Sequence, residues 1–212
     1  ADYFLVPNDE STAVMRAAGI PPEITKAFGF PVSPRFAEPN GQRAAPSQKE
    51  RRVLYMINPA TLRAVELVKR LLELDLQLTV TVGRDEKLRR AVVAAAGGRP
   101  MEIFGWTDEL PSLLKANHLL VGKAGGATVQ ETIAAACPMI VHHVVSGQEE
   151  GNAQLIAQTN SGTIALSRTE VITQVQGAFA NDARQWRAWH ENISRLSRPR
   201  ASLDIAEFLL SI

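Results

Sequence analysis

From residue 51 onward, short apolar runs alternate with longer segments of helical periodicity, and this alternation constrains the fold more than any other feature of the sequence. Successive strand-like runs are each joined by one helix-like segment, which is the connection that parallel strands need. The pattern therefore predicts an α/β fold, a Rossmann-like doubly wound parallel sheet with helices on both faces. The predicted strands are Val53–Ile57, Gln77–Val82, Met101–Phe104, His118–Val121, Met139–His142 and Gly162–Ala165. The predicted helices are Ala60–Leu74, Asp85–Ala96, Asp108–Ala116, Thr128–Ala136, Gln148–Gln158, Arg168–Ala180, Ala183–Ser197 and Ser202–Ile212.

The fourth predicted strand ends in a glycine-rich turn. Gly122, Gly125 and Gly126 lie close together, and a helix-start pattern begins at Thr128. In the common doubly wound order the fourth strand opens the second half of the sheet, and ligands bind near that point at the carboxyl ends of the strands. Free N–H groups at a helix start favour anions, and glycine lets a phosphate come close to the backbone. We therefore expect a phosphate-bearing ligand at this turn.

Glu131 is the acidic residue nearest the turn, and the sequence leaves two roles open for it. The segment Thr128–Glu131 has the form of a capping box, in which the glutamate bonds back to the start of the helix. A carboxylate one turn into such a helix could instead accept hydrogen bonds from the two hydroxyls of a ribose.

A second polar segment, residues 146–152, follows the fifth predicted strand and so belongs to the same edge of the sheet. Gln148 and Asn152 are one helical turn apart, with Glu149 beside them, and this cluster suits a ligand with many hydroxyl groups. The alternative is an ordinary helix cap formed by Ser146 and Glu149.

The turn Gly105–Asp108 follows the third predicted strand. Trp106 there could lie against a flat base while the backbone of Thr107 reads the base edge; the alternative is an indole that covers the core. His142 and His143 are strand neighbours on opposite faces, so we assign them no metal.

Composition and motifs disfavour several function classes. A net charge of +1 lacks the excess of basic residues that is typical of nucleic-acid-binding proteins. Cys137 is the single cysteine and is expected in the core; it excludes an internal disulfide and fits a reducing compartment. No apolar run approaches the roughly 20 residues that span a bilayer. The sequence has no Walker motif, no G-x-G-x-x-G turn and no recognisable catalytic triad. The residues alone therefore predict a soluble binder of a nucleotide or phosphate.

Four motifs, in this order and spacing, resemble the C-terminal domain of family 28 glycosyltransferases. They are Gly105-Trp-Thr-Asp, Lys123-Ala-Gly-Gly-Ala-Thr-Val-Gln-Glu, Cys137-Pro and Gly147-Gln-Glu-Glu-Gly-Asn-Ala. The branch that they resemble contains the monogalactosyldiacylglycerol synthases and the processive diacylglycerol glucosyltransferases. This family has the GT-B fold of two Rossmann-like domains, with the acceptor bound by the N-terminal domain and a UDP-sugar by the C-terminal one. The resemblance implies that the chain is the C-terminal half of a GT-B fold.

The resemblance also implies a set of donor-binding residues. Trp106 and Thr107 would border the uracil, Gly125 and Gly126 would lie against the diphosphate, and Glu131 would take the ribose hydroxyls. Gln148, Glu149 and Asn152 would hold the sugar hydroxyls. The other residues of these motifs expected to bind the substrate are Gly105, Lys123, Ala127, Thr128 and Gly147. Because the UDP-sugar is a substrate, no cofactor and no metal are expected.

Two features depart from the family pattern. The glycine-rich loop after the first strand of this domain is here Ile57–Thr61, which contains Pro59 and no glycine, so the phosphates would receive less help from that side. An arginine often found in the family's Gly-Ile-Pro-Val-Arg-like segment is replaced by Ser33, although Arg35 lies close in sequence.

The resemblance divides the chain into the tail of the acceptor domain with the hinge, a linker, and the nucleotide-sugar-binding domain, at residues 1–36, 37–50 and 51–212. Ala1 opens directly into a strand-like run, Tyr3–Val6, followed by a helix, Glu10–Ala18, as if a longer chain had been cut. The general base of these inverting enzymes belongs to the domain that would precede it, so no catalytic residue is expected in this chain.

The expected function is the UDP-sugar-binding domain of an inverting glycosyltransferase that transfers a hexose to a lipid, diacylglycerol-like acceptor, with the isolated chain inactive. The expected location is cytoplasmic, with peripheral membrane association of the full-length enzyme. The alternatives are a non-catalytic sensor or degenerate domain, a soluble subunit that needs a membrane partner, and a UDP-sugar 2-epimerase-like enzyme.

Overall fold

A computed structural model describes residues 1–39, 44–47, 50–57 and 62–212, and the side chains of these ranges except those of residues 62 and 63. The strands are β1 (Phe4–Val6), β2 (Thr25–Ala27), β3 (Arg52–Met56), β4 (Gln77–Thr81), β5 (Glu102–Phe104), β6 (Leu119–Lys123), β7 (Met139–His143) and β8 (Gly162–Ile164). The helices are α1 (Asp9–Ala17), α2 (Leu62–Leu71), α3 (Glu86–Ala96), α4 (Leu110–Ala116), α5 (Gly126–Ala134), α6 (Glu150–Gln158), α7 (Arg168–Leu196) and α8 (Ala201–Leu209). Short 3₁₀ helices cover Pro22–Ile24 and Pro34–Phe36.

Six strands form one parallel sheet in the order β5-β4-β3-β6-β7-β8. The chain first builds outward from β3 through β4 to β5, then returns to the other side of β3 and builds outward again from β6. The strand order therefore reverses between β3 and β6, where a doubly wound sheet opens a crevice at its carboxyl edge. The predicted doubly wound α/β fold is confirmed.

Each face of this sheet is covered by its own core layer. On β3, Val53 and Tyr55 belong to the layer built with α2, α3 and α7, whereas Leu54 belongs to the layer built with α4, α5 and α6. Side chains alternate between the faces of a strand, so a strand buried on both sides needs consecutive apolar residues. Cys137 lies in the second layer, as expected for a small apolar side chain.

Helix α7 begins with a capping box in which Ser167 and Glu170 bond reciprocally to each other's backbone N–H groups. Non-helical backbone interrupts it at residues 180–183, where Asn181 and Asp182 have positive φ values of 50° and 56°. Asparagine and aspartate accept this left-handed conformation more readily than most residues, and the predicted break between two helices is confirmed. Neither α7 nor any other helix of the described residues is long and apolar enough to cross a membrane.

The N-terminal residues form a separate two-stranded parallel sheet from β1 and β2. Helix α8 contacts the residues that flank this sheet: the ring centroid of Phe208 lies 4.9 Å from that of Tyr3, which precedes β1, and 5.3 Å from that of Phe28, which follows β2. The sequence did not predict β2, because Thr25–Ala27 has no apolar alternation and only its pairing with β1 makes it a strand.

Candidate functional site

The candidate site lies at the carboxyl ends of β6 and β7, beside the point where the strand order reverses. β6 passes into α5 through a two-residue turn, and β7 passes into α6 through a longer loop. The pairing of β6 with β7 shifts register between Gly122 and Lys123. Such a bulge re-aims the side chain that follows it, and here that side chain is Lys123.

Helix α5 begins at Gly126 with Gly125 as its N-cap, and no side chain caps it. The first N–H groups of a helix have no partner within the helix, so this start offers uncapped donors and the positive end of the helix dipole. Thr128 and Glu131 both lie inside the helix, and the capping-box interpretation of this pair is wrong. The error has a local cause: a glycine cap carries no side-chain signal in the sequence.

The protein itself leaves space at the two glycines of this turn. Among the described residues, a Cβ added at Gly125 would meet no atom closer than 3.5 Å, and one added at Gly126 none closer than 3.7 Å. Gly162 is different, because a Cβ there would lie 1.8 Å from the carbonyl oxygen of Met139. Packing thus requires glycine at residue 162 and not at the turn, whose bare backbone is open to a ligand.

A partly buried ion pair joins the two loops. The Nζ atom of Lys123, whose side chain is 33% exposed, lies 2.5 Å from Oε1 of Glu149, whose side chain is 7% exposed. The backbone N–H of Val145 donates to Oε2 of the same carboxylate at 2.9 Å. Burial by itself would raise the pKa of Glu149, but the hydrogen bonds from Lys123 and Val145 and the charges of Lys123 and His143 outweigh it and lower the pKa. An ionised carboxylate is thereby held against the glycine turn.

Asn152 makes a second link between the loops. Its Nδ2 atom donates to the carbonyl of Ala124 at 3.0 Å and lies 3.7 Å from the position of a Cβ at Gly126. The predicted meeting of the two motifs is therefore present in the fold, with Asn152 engaged by the backbone of the β6–α5 turn.

The loop before α6 differs from its prediction. The helix begins at Glu150, so Gln148 precedes it, and the predicted helical face shared by Gln148 and Asn152 is wrong. The predicted cap of Ser146 with Glu149 is also wrong, since Glu149 is itself the N-cap residue. Gly147, with a positive φ of 79°, donates its N–H to Oε1 of Glu150 at 2.6 Å, and this turn presents Gln148 to solvent.

Glu131 lies half-buried in α5. Burial raises the pKa of its carboxyl group, and no charged group or hydrogen bond of the described residues acts against that shift. A partly desolvated carboxylate without an internal cation is a strong acceptor for hydroxyl donors from a ligand. Ala127 and Thr128 fill the first turn between this carboxylate and the glycines, Ala127 exposed and Thr128 half-buried.

Trp106 lies at the same edge of the sheet, after β5, and is 66% exposed, so the interpretation of a core-covering indole is wrong. The Arg84 guanidinium, which follows β4, lies over the indole ring at 4.9 Å from its centroid.

The turn that carries Trp106 is fixed by its neighbours. The hydroxyl of Thr107 accepts a hydrogen bond from the N–H of Glu109 at 3.0 Å. A Cβ at Gly105 would meet only the carbonyl of Gly83, at 3.4 Å. Three strand spacings, about 14 Å, separate β5 from β6 along this edge.

The structure adds two arginines to the predicted residues. Arg84 was missed although its position after a strand could have indicated it. Arg35 donates to the carbonyl of Asp108 at 2.9 Å and pairs with Glu109 at 2.6 Å, so it fastens the 3₁₀ helix Pro34–Phe36 to the loop that carries Trp106. The guanidinium of Arg35 is therefore engaged by Glu109. Residues 58–61 of the glycine-free loop singled out above, including Pro59, lie outside the described residues.

The strand order and the reversal point define the class of the fold, a Rossmann-like α/β domain of the GT-B type, which solved glycosyltransferase structures share. WaaG, a glycosyltransferase involved in lipopolysaccharide biosynthesis, is similar with a TM-score of 0.58 and 17% identity over 96% of this chain and 61% of that one. UDP-GlcNAc 2-epimerase from Neisseria meningitidis, solved bound to UDP-GlcNAc, is similar with a TM-score of 0.71 and 13% identity over 100% of this chain and 62% of that one. At these identities the likeness shows the fold alone.

The chain belongs to glycosyltransferase family 28, since the model of the family's C-terminal domain matches residues 59–196. The probable monogalactosyldiacylglycerol synthase 2 of Oryza sativa subsp. japonica is 25% identical over 210 residues, covering 89% of this chain and 44% of the relative. The processive diacylglycerol beta-glucosyltransferase of Bacillus cereus (strain 03BB102) is 24% identical over 220 residues, covering 99% and 56%. The chain thus spans about half the length of these relatives, and the predicted family is confirmed.

Proposed function

We propose that this chain is the UDP-sugar-binding half of an inverting glycosyltransferase that transfers a hexose to a lipid, diacylglycerol-like acceptor. The observation that carries the proposal is the position of the buried carboxylate of Glu149 beside the bare start of α5, at the reversal point of the sheet. The helix start suits a diphosphate, and an oriented carboxylate beside it suits sugar hydroxyls. The lipid acceptor is suggested by the names of the two relatives.

The donor would lie along the carboxyl edge of the sheet. Its uracil would be placed against Trp106 with the backbone of Thr107 at the base edge, and its ribose hydroxyls would bond to Glu131. The diphosphate would take the free N–H groups at the start of α5. The hexose would then reach Gln148 and Glu149.

In the whole enzyme, an acceptor hydroxyl would lose its proton to a base supplied from outside this chain and attack the anomeric carbon. The new glycosidic C–O bond forms as the bond from the anomeric carbon to the phosphate oxygen breaks, and UDP leaves with the electron pair. Negative charge then grows on the diphosphate, where the dipole and the N–H donors of α5 stabilise it. The chain by itself would bind the donor without transferring its sugar.

Isothermal titration calorimetry of the 212-residue chain tests this proposal. We expect UDP, UDP-glucose or UDP-galactose to bind, and ADP to bind on the order of tenfold more weakly because it keeps the diphosphate and changes the base. Equal affinity for ADP and UDP would contradict a uracil site, and absence of binding by UDP would contradict the proposal as a whole. A repeat in EDTA checks the expectation that binding needs no metal.

Two further measurements separate the alternatives. Formation of a 2-epimeric sugar from UDP-GlcNAc would favour an epimerase, and absence of transfer by the full-length protein with several UDP-sugars would favour a non-catalytic sensor. Cytoplasmic location and peripheral membrane association of the full-length protein remain part of the proposal.

A further inference from the structure

We propose that Lys123 is a positioning residue for sugar recognition: through its ion pair it holds the carboxylate of Glu149 in the orientation that accepts the donor's hydroxyls, and it does not itself bind the diphosphate. This assignment rests on the proposed function. It separates Lys123 from Gly125 and Gly126 of the same motif, which the family resemblance places against the diphosphate.

The pair lies where a diphosphate would pass into a sugar. A Cβ at Gly125 would lie 3.5 Å from Cε of Lys123 and 3.7 Å from Oε1 of Glu149. The carboxylate is therefore beside the glycine turn and not on a separate part of the surface. It is also the N-cap residue of α6, so the backbone before that helix fixes where the side chain starts.

Two contacts from different parts of the chain orient the carboxylate. Lys123 Nζ bonds Oε1 from the end of β6, and the Val145 N–H bonds Oε2 from the loop after β7. A carboxylate has about four acceptor positions, so roughly one position remains on each oxygen. Two adjacent hydroxyls of a hexose are the matching donors.

The ammonium group of Lys123 donates to this carboxylate, while the lysine side chain stays 33% exposed. Moving it onto a phosphate would leave Glu149, with 7% of its side chain exposed, as a buried charge without its cation. Losing one partner of a buried ion pair is strongly unfavourable. The diphosphate would therefore meet a neutral pair on this side and depend on the N–H groups of α5.

The charge state of Glu149 depends on few groups. Among the described residues, Lys123 on β6 and His143 on β7 are the charged groups that lower its pKa, and the Val145 N–H supplies the remaining stabilisation. The neighbouring residues at the start of α5, the N-cap Gly125 and Thr128, do not titrate. Removing Lys123 takes away a hydrogen bond and a charge that lower the pKa of Glu149, so this pKa rises in a variant that lacks the ammonium group.

The experiment compares UDP with UDP-glucose on five variants of the 212-residue chain by calorimetry between about pH 5.5 and pH 8.5. The variants are Lys123→Met, Lys123→Arg, Glu149→Gln, the double variant Lys123→Met with Glu149→Gln, and Lys69→Met as control. Lys69 is a matched control because it pairs with Glu66 at 3.9 Å on an exposed face of α2.

In Lys123→Met we expect the ratio of the UDP-glucose to the UDP association constant to fall on the order of tenfold, with UDP affinity changed less than about threefold. The ratio should also become pH-dependent in this variant, falling further as the pH is lowered and the carboxylate takes up a proton. Lys123→Arg and Lys69→Met should keep the wild-type ratio and its flat pH profile. Glu149→Gln should lower the ratio, and adding Lys123→Met to it should lower it no further.

Equal losses for UDP and UDP-glucose in Lys123→Met would overturn the assignment and place Lys123 on the diphosphate. An unchanged ratio in a folded Lys123→Met protein would overturn it in favour of a purely structural pair. If Lys123→Met does not fold, the double variant tests the assignment instead, because it has no buried carboxylate that needs a cation. A ratio of the UDP-glucose to the UDP association constant below that of Glu149→Gln would refute the assignment. Wild-type protein that binds no UDP would overturn the proposed function, and the Lys123 assignment with it.

Discussion

Replacing Glu131 by glutamine is the sharpest test of the nucleotide end of the site. The carboxylate is half-buried, burial raises its pKa, and no cation of the described residues compensates it. If it accepts the ribose hydroxyls, its loss removes hydrogen bonds to a charged group, worth about 1.5–3 kcal/mol, or about 10- to 150-fold in the UDP dissociation constant. Glutamine keeps the shape and one acceptor oxygen, so we expect the lower half of that range.

Calorimetry with UDP and 2′-deoxy-UDP tests whether the binding free energy lost in Glu131→Gln comes from the contact with the ribose hydroxyls. Wild-type protein should bind 2′-deoxy-UDP more weakly than UDP, whereas Glu131→Gln should distinguish the two ligands much less. Glu191→Gln, an exposed α7 glutamate paired with Arg195, serves as the control and should behave as wild type. The same penalty for 2′-deoxy-UDP in wild type and Glu131→Gln would refute the ribose role, even if the variant bound UDP weakly.

The stability of Glu131→Gln should move in the opposite direction from its affinity. With a raised pKa, the folded protein binds a proton at Glu131 more readily than the unfolded chain does, so its stability falls as the pH rises through the range just above the ordinary glutamate pKa. Glutamine removes that loss. In urea unfolding, the variant should therefore be at least as stable as wild type at neutral pH, and this gain in stability should be absent in acid. A large loss of stability at neutral pH would mean that the carboxylate has a structural partner.

Two further predictions separate the site from the scaffold. Gly125→Ala should change the free energy of unfolding by no more than about 1 kcal/mol, because a Cβ there meets only ordinary contacts. The same variant should bind UDP on the order of tenfold more weakly, because the methyl group fills the space beside the helix start. Unchanged UDP affinity would show that no ligand comes close there. Trp186→Phe should lower stability and leave UDP affinity unchanged, because the buried indole N–H donates to the carbonyl of His118 at 2.6 Å. Urea unfolding should show a loss of about 1–3 kcal/mol in the free energy of unfolding, and an unchanged value would contradict the contribution given to that hydrogen bond.

The periodicity of the sequence was sufficient to predict the layers of this fold. Alternating apolar strand and helix patterns from residue 51 require a parallel sheet buried on both faces, and short connections leave few ways to wind it. The glycine turn at residues 122–126 then falls at the reversal point of the strand order, where the structure has it. These features are local in sequence or follow from the order of elements, so they could be predicted without coordinates.

Helix starts and side-chain exposure were less predictable. The sequence pattern at Thr128 resembled a cap, but Gly125 caps α5 without a side chain. Tryptophan is a residue type common in protein cores, but Trp106 follows β5 at the outer edge of the sheet, has Arg84 as its neighbour and is exposed. Propensity describes a residue type, whereas these outcomes depend on which element covers it.

Tertiary structure alone decided the pairing of charges. Lys123 could have met a phosphate, a solvent-exposed acid or nothing, and the sequence could not choose among these. The bulge at the end of β6 and the N-cap position of Glu149 bring the two charges to 2.5 Å, and burial makes their separation costly. Arg35 and Glu109, 74 positions apart, are also brought together only by the fold. Such contacts carry no local periodicity and form only when the fold places separate segments side by side. The sequence therefore determined where the site lies, and the fold determined which residues act together in it.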